Sequence, residues 1–159
     1  MGPACMEERP TTTPAGWRRY RCRRTAITVA YPPGWTVDES RLASGRVAFR
    51  APDGEGDVAV NLLVMDVIHT EFGALRFGQV AASLVRSLQA SVAGYREVRA
   101  VRGPRSLRLD YAGDAGRGTL LAVESAAAIG ILYAFLPHAA AARHATTLET
   151  MLRELVVDG

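Results

Sequence analysis

The stretch "DVAVNLLVMDV", Asp57 to Val67, constrains this chain more than any other. Its apolar residues fall on both alternating faces of an extended chain. A strand of that kind sits near the middle of a sheet covered on two sides. Upstream, "ITVAY" alternates, with Ile27, Val29 and Tyr31 on one face and Thr28 and Ala30, preceded by Ala26, on the other. That is the pattern of a half-buried strand. "DESRLASG" reads as a polar loop. "RVAFRAP", Arg46 to Pro52, alternates again with Val47 and Phe49 inward, and "DGEG", Asp53 to Gly56, is a hairpin signal.

Downstream the period changes. Phe77, Val80, Ala81, Leu84, Val85 and Leu88 share one helical face, which predicts a helix over Phe77 to Val92 with Gly94 at its C′ position. Strands follow at Tyr95 to Arg102 and in "SLRLDYAG", with Leu107, Leu109 and Tyr111 inward and Ser106, Arg108 and Asp110 outward. "TLLAVES" and "IGILYAFLP" complete a meander, because short links join antiparallel neighbours. Gly113 to Gly118 make a turn, while Ala126 to Ala128 are poor turn residues. After Pro137 a second helix is predicted to about Val156. Its expected buried stripe is Ala141, Ala145, Leu148, Leu152 and Leu155, with Glu149 and Arg153 as a surface pair. Strands, helix, meander and helix without βαβ alternation define an α+β class, an antiparallel sheet of about six to seven strands with helices packed on it.

The 159 residues favour one domain, expected over 17–159, and 48% hydrophobic content is enough for a core. Residues 1–16, rich in Pro, Thr and charge without periodicity, read as a disordered leader. They lack the basic and apolar regions of a secretory signal, and the longest apolar run is too short for a transmembrane helix. Cys5 and Cys22 make no disulfide framework, which favours a cytoplasmic location. All 19 basic residues are arginine, and the formal net charge of +3 is too small to imply nucleic acid.

"YPPGW", Tyr31 to Trp35, is a corner: prolines fix φ, Gly34 permits reversal, and Trp35 is placed to fold back over the sheet edge. This corner, with "ITVAY" before it and "VAFRAP", "VAVNLLVMD", a helix, a meander and a closing helix after it, resembles the PsbP-like superfamily. That group takes in Mog-type, LpqN-type and DcrB-like small α+β proteins. The similarity runs from Trp17 to Val157, and its most specific pieces are Pro32-Pro33-Gly34-Trp35 and the Phe49 to Pro52 "F-x-x-P" pattern. It implies an α/β/α sandwich and a binding or accessory role, and it transfers little chemistry.

Chemical signatures are sparse. There is no Gly-x-Ser-x-Gly elbow, and a chain without lysine has neither a Walker lysine nor a lysine Schiff base. Gly113, Gly116 and Gly118 join two strands and open no helix. His138 and His144 are six residues apart and lie about 120° from each other on a helix, so they do not share a face. Asp66, His69 and Glu71 offer an imidazole and two carboxylates, as a metal or acid–base site would and as a solvated loop would. The densest charge is Arg18 to Arg24, five arginines in seven positions. Alternation puts Tyr20 and Cys22 inward and Arg19, Arg21 and Arg23 together in solvent. That face suits either an acidic partner or the protection of an exposed edge.

The expectation is a non-enzymatic binding module acting through protein–protein contact and serving a larger assembly or secretion apparatus. Its candidate binding residues are Arg19, Arg21, Arg23 and Trp35, with no catalytic residue, metal or cofactor and no nucleic-acid partner. One alternative is a binder of an apolar ligand, peptide or helix between sheet and helix. Another is a metal-dependent enzyme using Asp66, His69 and Glu71.

Overall fold

The computed structural model describes residues 14–22, 27–52, 58–66, 69–70, 73–74, 77–125 and 128–157. The early strands are β1 (Arg18–Arg21), β2 (Ile27–Tyr31), β3 (Thr36–Asp38), β4 (Arg46–Arg50) and β5 (Ala59–Asp66). Two short strands, β6 (His69–Thr70) and β7 (Gly73–Ala74), pair with each other ahead of helix α1 (Phe77–Ser91). The meander is β8 (Arg96–Gly103), β9 (Ser106–Gly113), β10 (Gly116–Glu124) and β11 (Ala128–Pro137), followed by helix α2 (His138–Arg153) and β12 (Val156–Val157).

Seven strands form the main sheet in the order β3-β4-β5-β11-β10-β9-β8, every neighbouring pair antiparallel. The run read as a central strand is central: β5 lies between β4 and β11, with Leu62 opposite Leu132 and Leu63 opposite Ile131. Its alternate residues feed two cores. Val60 and Leu62 join Phe49, Leu132, Leu148 and Met151 on the α2 side. Leu63 and Met65 pack with Phe77, Leu109, Ile129 and Ile131 on the α1 side. The sheet is thus sandwiched between helices, and α1 presents the apolar face that its period of 3.6 specifies.

The α2 side has a second cover. A three-stranded sheet, β1-β2-β12, sets Ile27 and Val29 onto the same core as α2. Hence β2 is buried along Ile27 to Ala30 rather than half-buried: Ile27 and Val29 lie in the core, and Thr28 and Ala30 on the other face are covered as well. The second helix ends at Arg153, because Val156 and Val157 are drawn into pairing with Thr28 and Ile27. Its buried stripe includes His144 and Met151 and leaves Ala145 exposed, so the helix is rotated from the expected stripe. Glu149 reaches across to Arg108 on β9, and Arg153 lies against Glu154 instead (3.4 Å).

Short connections have local causes. Pro32, Pro33, Gly34 and Trp35 form a turn in which the Trp35 N–H donates to the Pro32 carbonyl (3.3 Å) and Gly34 has φ of +86°. Proline followed by a positive-φ glycine is the type II arrangement. The weak alanine link before β11 is closed by Ser125, whose backbone N–H and hydroxyl both donate to the Ala128 carbonyl (2.8 and 3.0 Å). The "DGEG" signal lies outside the described residues, as do residues 1–13 of the expected leader.

Candidate functional site

The arginine strand forms an edge. Among the described residues β1 pairs only with β2, with Arg19 opposite Ala30 and Arg21 opposite Thr28. Tyr20 and Cys22 do turn inward: the Tyr20 ring meets Phe49 edge-on at 5.7 Å, and Cys22 is buried. Arg18 and Arg19 are exposed, while Arg21 is half-buried, so the arginine face is less open than alternation suggests. The cross-strand partners Ala30 and Thr28, which share that face, are themselves buried, so the face is partly covered around the arginines. Arg23 lies outside the described residues.

Trp35 is half-buried and packs on the α2-side core. Its ring meets His144 edge-on at 5.9 Å. Burial, then the charge of Arg143, pushes the His144 imidazole below its ordinary pKa. His138 is exposed, its Nε2 2.9 Å from the Asp114 carbonyl oxygen, so the two histidines occupy different faces as their spacing requires. The trio of Asp66, His69 and Glu71 lies outside the described side chains. Among the described residues no group of three His, Cys, Asp or Glu side chains stands close enough to hold a metal.

A cleft of about 380 Å³ opens between α1 and the β8–β9 turn, with Phe77, Ala81, Val85 and Leu107 on its apolar walls and Arg86 and Arg102 among its polar lining. Beside it, β8 is the far edge of the main sheet and exposes Val98 and Val101. A register shift between Glu97 and Arg99 breaks the regularity of that edge.

The other feature has no continuous signature in the sequence. On the α1 side, the helix covers the half of the sheet around β9, β10 and β11. Over β3, β4 and β5 the same face carries a polar groove of about 280 Å³, lined by Asp38, Arg41, Arg46, Arg50, Asn61 and Tyr133. Strand alternation builds it: Val47 and Phe49 point to the core, so Arg46, Ala48 and Arg50 point the other way. Ala48 pairs with Asp38 on one side and Asn61 on the other, and Asn61 pairs with Tyr133. Arg50 donates from Nε and Nη2 to one oxygen of Asp38 (3.2 and 3.1 Å), while the Ser40 N–H donates to the other (2.9 Å). Hydrogen bonds from Ser40, then Arg50, hold the Asp38 carboxyl down at about 2.

No protein-family model and no curated protein matches this chain. Its architecture, an antiparallel sheet with one helix on each face and a small accessory sheet, nevertheless defines a class, that of small α+β sandwiches. Within that class the chain has the PsbP-like, Mog-type fold. The solution structure of cyanobacterial PsbP (CyanoP) from Synechocystis superposes with a TM-score of 0.65 at 15% identity, covering 95% of this chain and 98% of that one. The Ran-binding protein Mog1p of Saccharomyces cerevisiae gives 0.54 at 11% identity, covering 89% and 95%. A Pseudomonas aeruginosa protein of unknown function, PA94, described as a putative regulator, gives 0.53 at 13% identity, covering 91% and 99%. At such identities the likeness is one of fold.

Proposed function

We propose that this chain is a non-enzymatic binding module that works by protein–protein contact within a larger assembly. The observation that carries the reading is β1, an edge strand with Arg18, Arg19 and Arg21 in succession around Tyr20. A row of guanidinium groups on a sheet edge matches the carboxylates of an acidic partner and steers its approach. Support comes from the neighbours of this fold, one of which is a Ran-binding protein. The recognition face is assigned to Arg19, Arg21 and Arg23, with Trp35 at the adjoining corner. The module is expected to act in the cytoplasm without metal or cofactor and without a nucleic-acid partner. Among the described residues no helix is long and apolar enough to cross a membrane.

The test begins with affinity capture from the native host and identification of the partner by mass spectrometry. Binding of that partner is then measured at low and high salt for the wild-type chain and for Arg19→Gln/Arg21→Gln/Arg23→Gln. Weaker binding with a flattened salt dependence is expected, with folding stability kept within about 1 kcal/mol. Equal affinity at both salt concentrations would reduce the arginines to edge protection.

The cleft beside α1 favours one second reading, an apolar ligand or peptide held between sheet and helix, since apolar pockets with a few polar groups are the usual form of such sites. Filling it with Ala81→Trp should then abolish binding of that ligand without touching the β1 surface.

A further inference from the structure

We infer that the groove over β3, β4 and β5 is a second recognition site, one that takes the carboxylate side chains of an acidic protein segment. This site is separate from the β1 surface and stands or falls independently of it.

Charge is the groove's first distinguishing property. Three guanidinium groups, Arg41, Arg46 and Arg50, share it with one carboxylate, Asp38. That carboxylate is fully engaged: both oxygens are occupied by Arg50 and Ser40. Its pKa of about 2 keeps it ionised at any ordinary pH. Glu39, next along the chain, accepts a hydrogen bond from the Tyr20 hydroxyl at 2.7 Å. Among the described residues, no carboxylate pairs with Arg41 or Arg46. Both are exposed, and the Arg46 N–H donates to the Arg41 carbonyl (3.2 Å), which ties the two positions together at one end of the groove.

Size and lining select the occupant. At about 280 Å³ the groove is below the usual range for a drug-sized ligand and suits one or two side chains. Its floor is strand with a small residue, Ala48, at the centre. Asn61 and Tyr133 add hydrogen-bonding groups suited to the amides of a peptide. Arginine binds carboxylate in a planar, two-point manner. A nucleic-acid backbone fits less well. It needs several phosphate contacts in a row, whereas here a fixed carboxylate sits among the arginines.

The experiment is fluorescence anisotropy of a short labelled oligoglutamate peptide titrated with the full chain, at about 50 and about 200 mM salt. Oligoglutamine of the same length is the uncharged control and oligothymidine the phosphate control. Oligoglutamate alone is expected to bind, more tightly at low salt. Arg41→Gln/Arg46→Gln should weaken it at least about tenfold, whereas Arg96→Gln/Arg117→Gln, which removes the same charge from exposed positions on β8 and β10 outside the groove and the β1 surface, should weaken it by less than about threefold. Asp38→Asn leaves Arg50 without its carboxylate partner and should tighten binding several-fold, a gain that misfolding does not produce. Absence of oligoglutamate binding, equal loss in the two double variants, or no gain in Asp38→Asn would each overturn the assignment. Tighter binding of oligothymidine, lost in Arg41→Gln/Arg46→Gln, would replace it with a phosphate site.

Discussion

On the α2 side of the main sheet, Arg108 rises from β9 between two carboxylates. It donates to Asp110 from Nε and Nη2 (3.4 and 3.3 Å) and to Glu149 of α2 through Nη1 (3.1 Å) and Nη2. Thr119 donates to the same Asp110 (2.9 Å), and the Glu149 carboxyl is pulled below its ordinary pKa, first by the Arg108 hydrogen bond. On the α1 side, Arg41 and Arg46 stand in a groove whose one carboxylate is already taken. The same residue type on the same sheet is thus closed on itself in one place and open in the other. A closed cluster fixes a helix to a sheet. An open one leaves cationic charge facing solvent, where it raises the local potential.

The largest expected effect comes from the strand that both builds the groove and anchors it. Phe49 is fully buried, its ring against Tyr20 and Tyr31 on the core face of β4, while Arg46 and Arg50 project from the other face. Phe49→Ala should cost about 3–5 kcal/mol in urea unfolding and take oligoglutamate binding with it in proportion to the fraction unfolded. Full binding by an unfolded variant would mean that the groove geometry is irrelevant.

Next is Gly45, which positions the Arg41 loop. Its φ is +81°, and a Cβ there would stand 2.5 Å from the Val64 carbonyl oxygen. The Val64 N–H in turn donates to the Gly45 carbonyl (2.8 Å), pinning the loop onto β5. Gly45→Ala should destabilise by about 1–3 kcal/mol and weaken peptide binding in the fraction that remains folded. A stability loss with unchanged affinity would show that Arg41 does not need that loop.

Much of this architecture is legible in the order of the residues. β5 is readable as central because Val60 and Leu62 alternate with Leu63 and Met65, and no one-sided strand requires both sets to be apolar. α1 is readable because its stripe is regular. The α2 stripe is ambiguous because alanines occupy positions all round that helix, so Ala140 and Ala145 look alike, and the deciding residue, His144, is polar. The β1-β2-β12 sheet depends on Val156 and Val157 meeting Thr28 and Ile27, a pairing between the two ends of the fold that no local pattern records. The groove is partly legible: Arg46, Ala48 and Arg50 are the outward set of "RVAFR". Their meeting with Asp38, Asn61 and Tyr133 requires the strand order.

A smaller effect separates the two arginine sites by stability. Arg108→Ala should cost about 1 kcal/mol, discounted because Glu149 is more than half exposed, and a double-mutant cycle with Glu149→Ala should show coupling of about a few tenths of a kcal/mol or more. The smallest effect is one of pH. With its pKa below 6.5, His144 contributes stability that is complete above 6.5 and declines as pH falls from 6.5 through the lower folded value. Melting temperature should therefore drop between about pH 7 and 5 by more in the wild type than in His144→Gln. Over the same range Asp38 stays ionised, its pKa being about 2, so groove affinity should hold until the glutamates of the peptide protonate near about 4.3.

The most direct measurement pairs Arg46→Gln with Arg108→Gln and reads each for both urea stability and oligoglutamate affinity. The expected result is crossed: Arg46→Gln keeps stability within about 0.5 kcal/mol and loses binding, while Arg108→Gln loses stability and keeps binding. Two variants that behave alike in both readings would contradict the division of the sheet into a closed and an open arginine site.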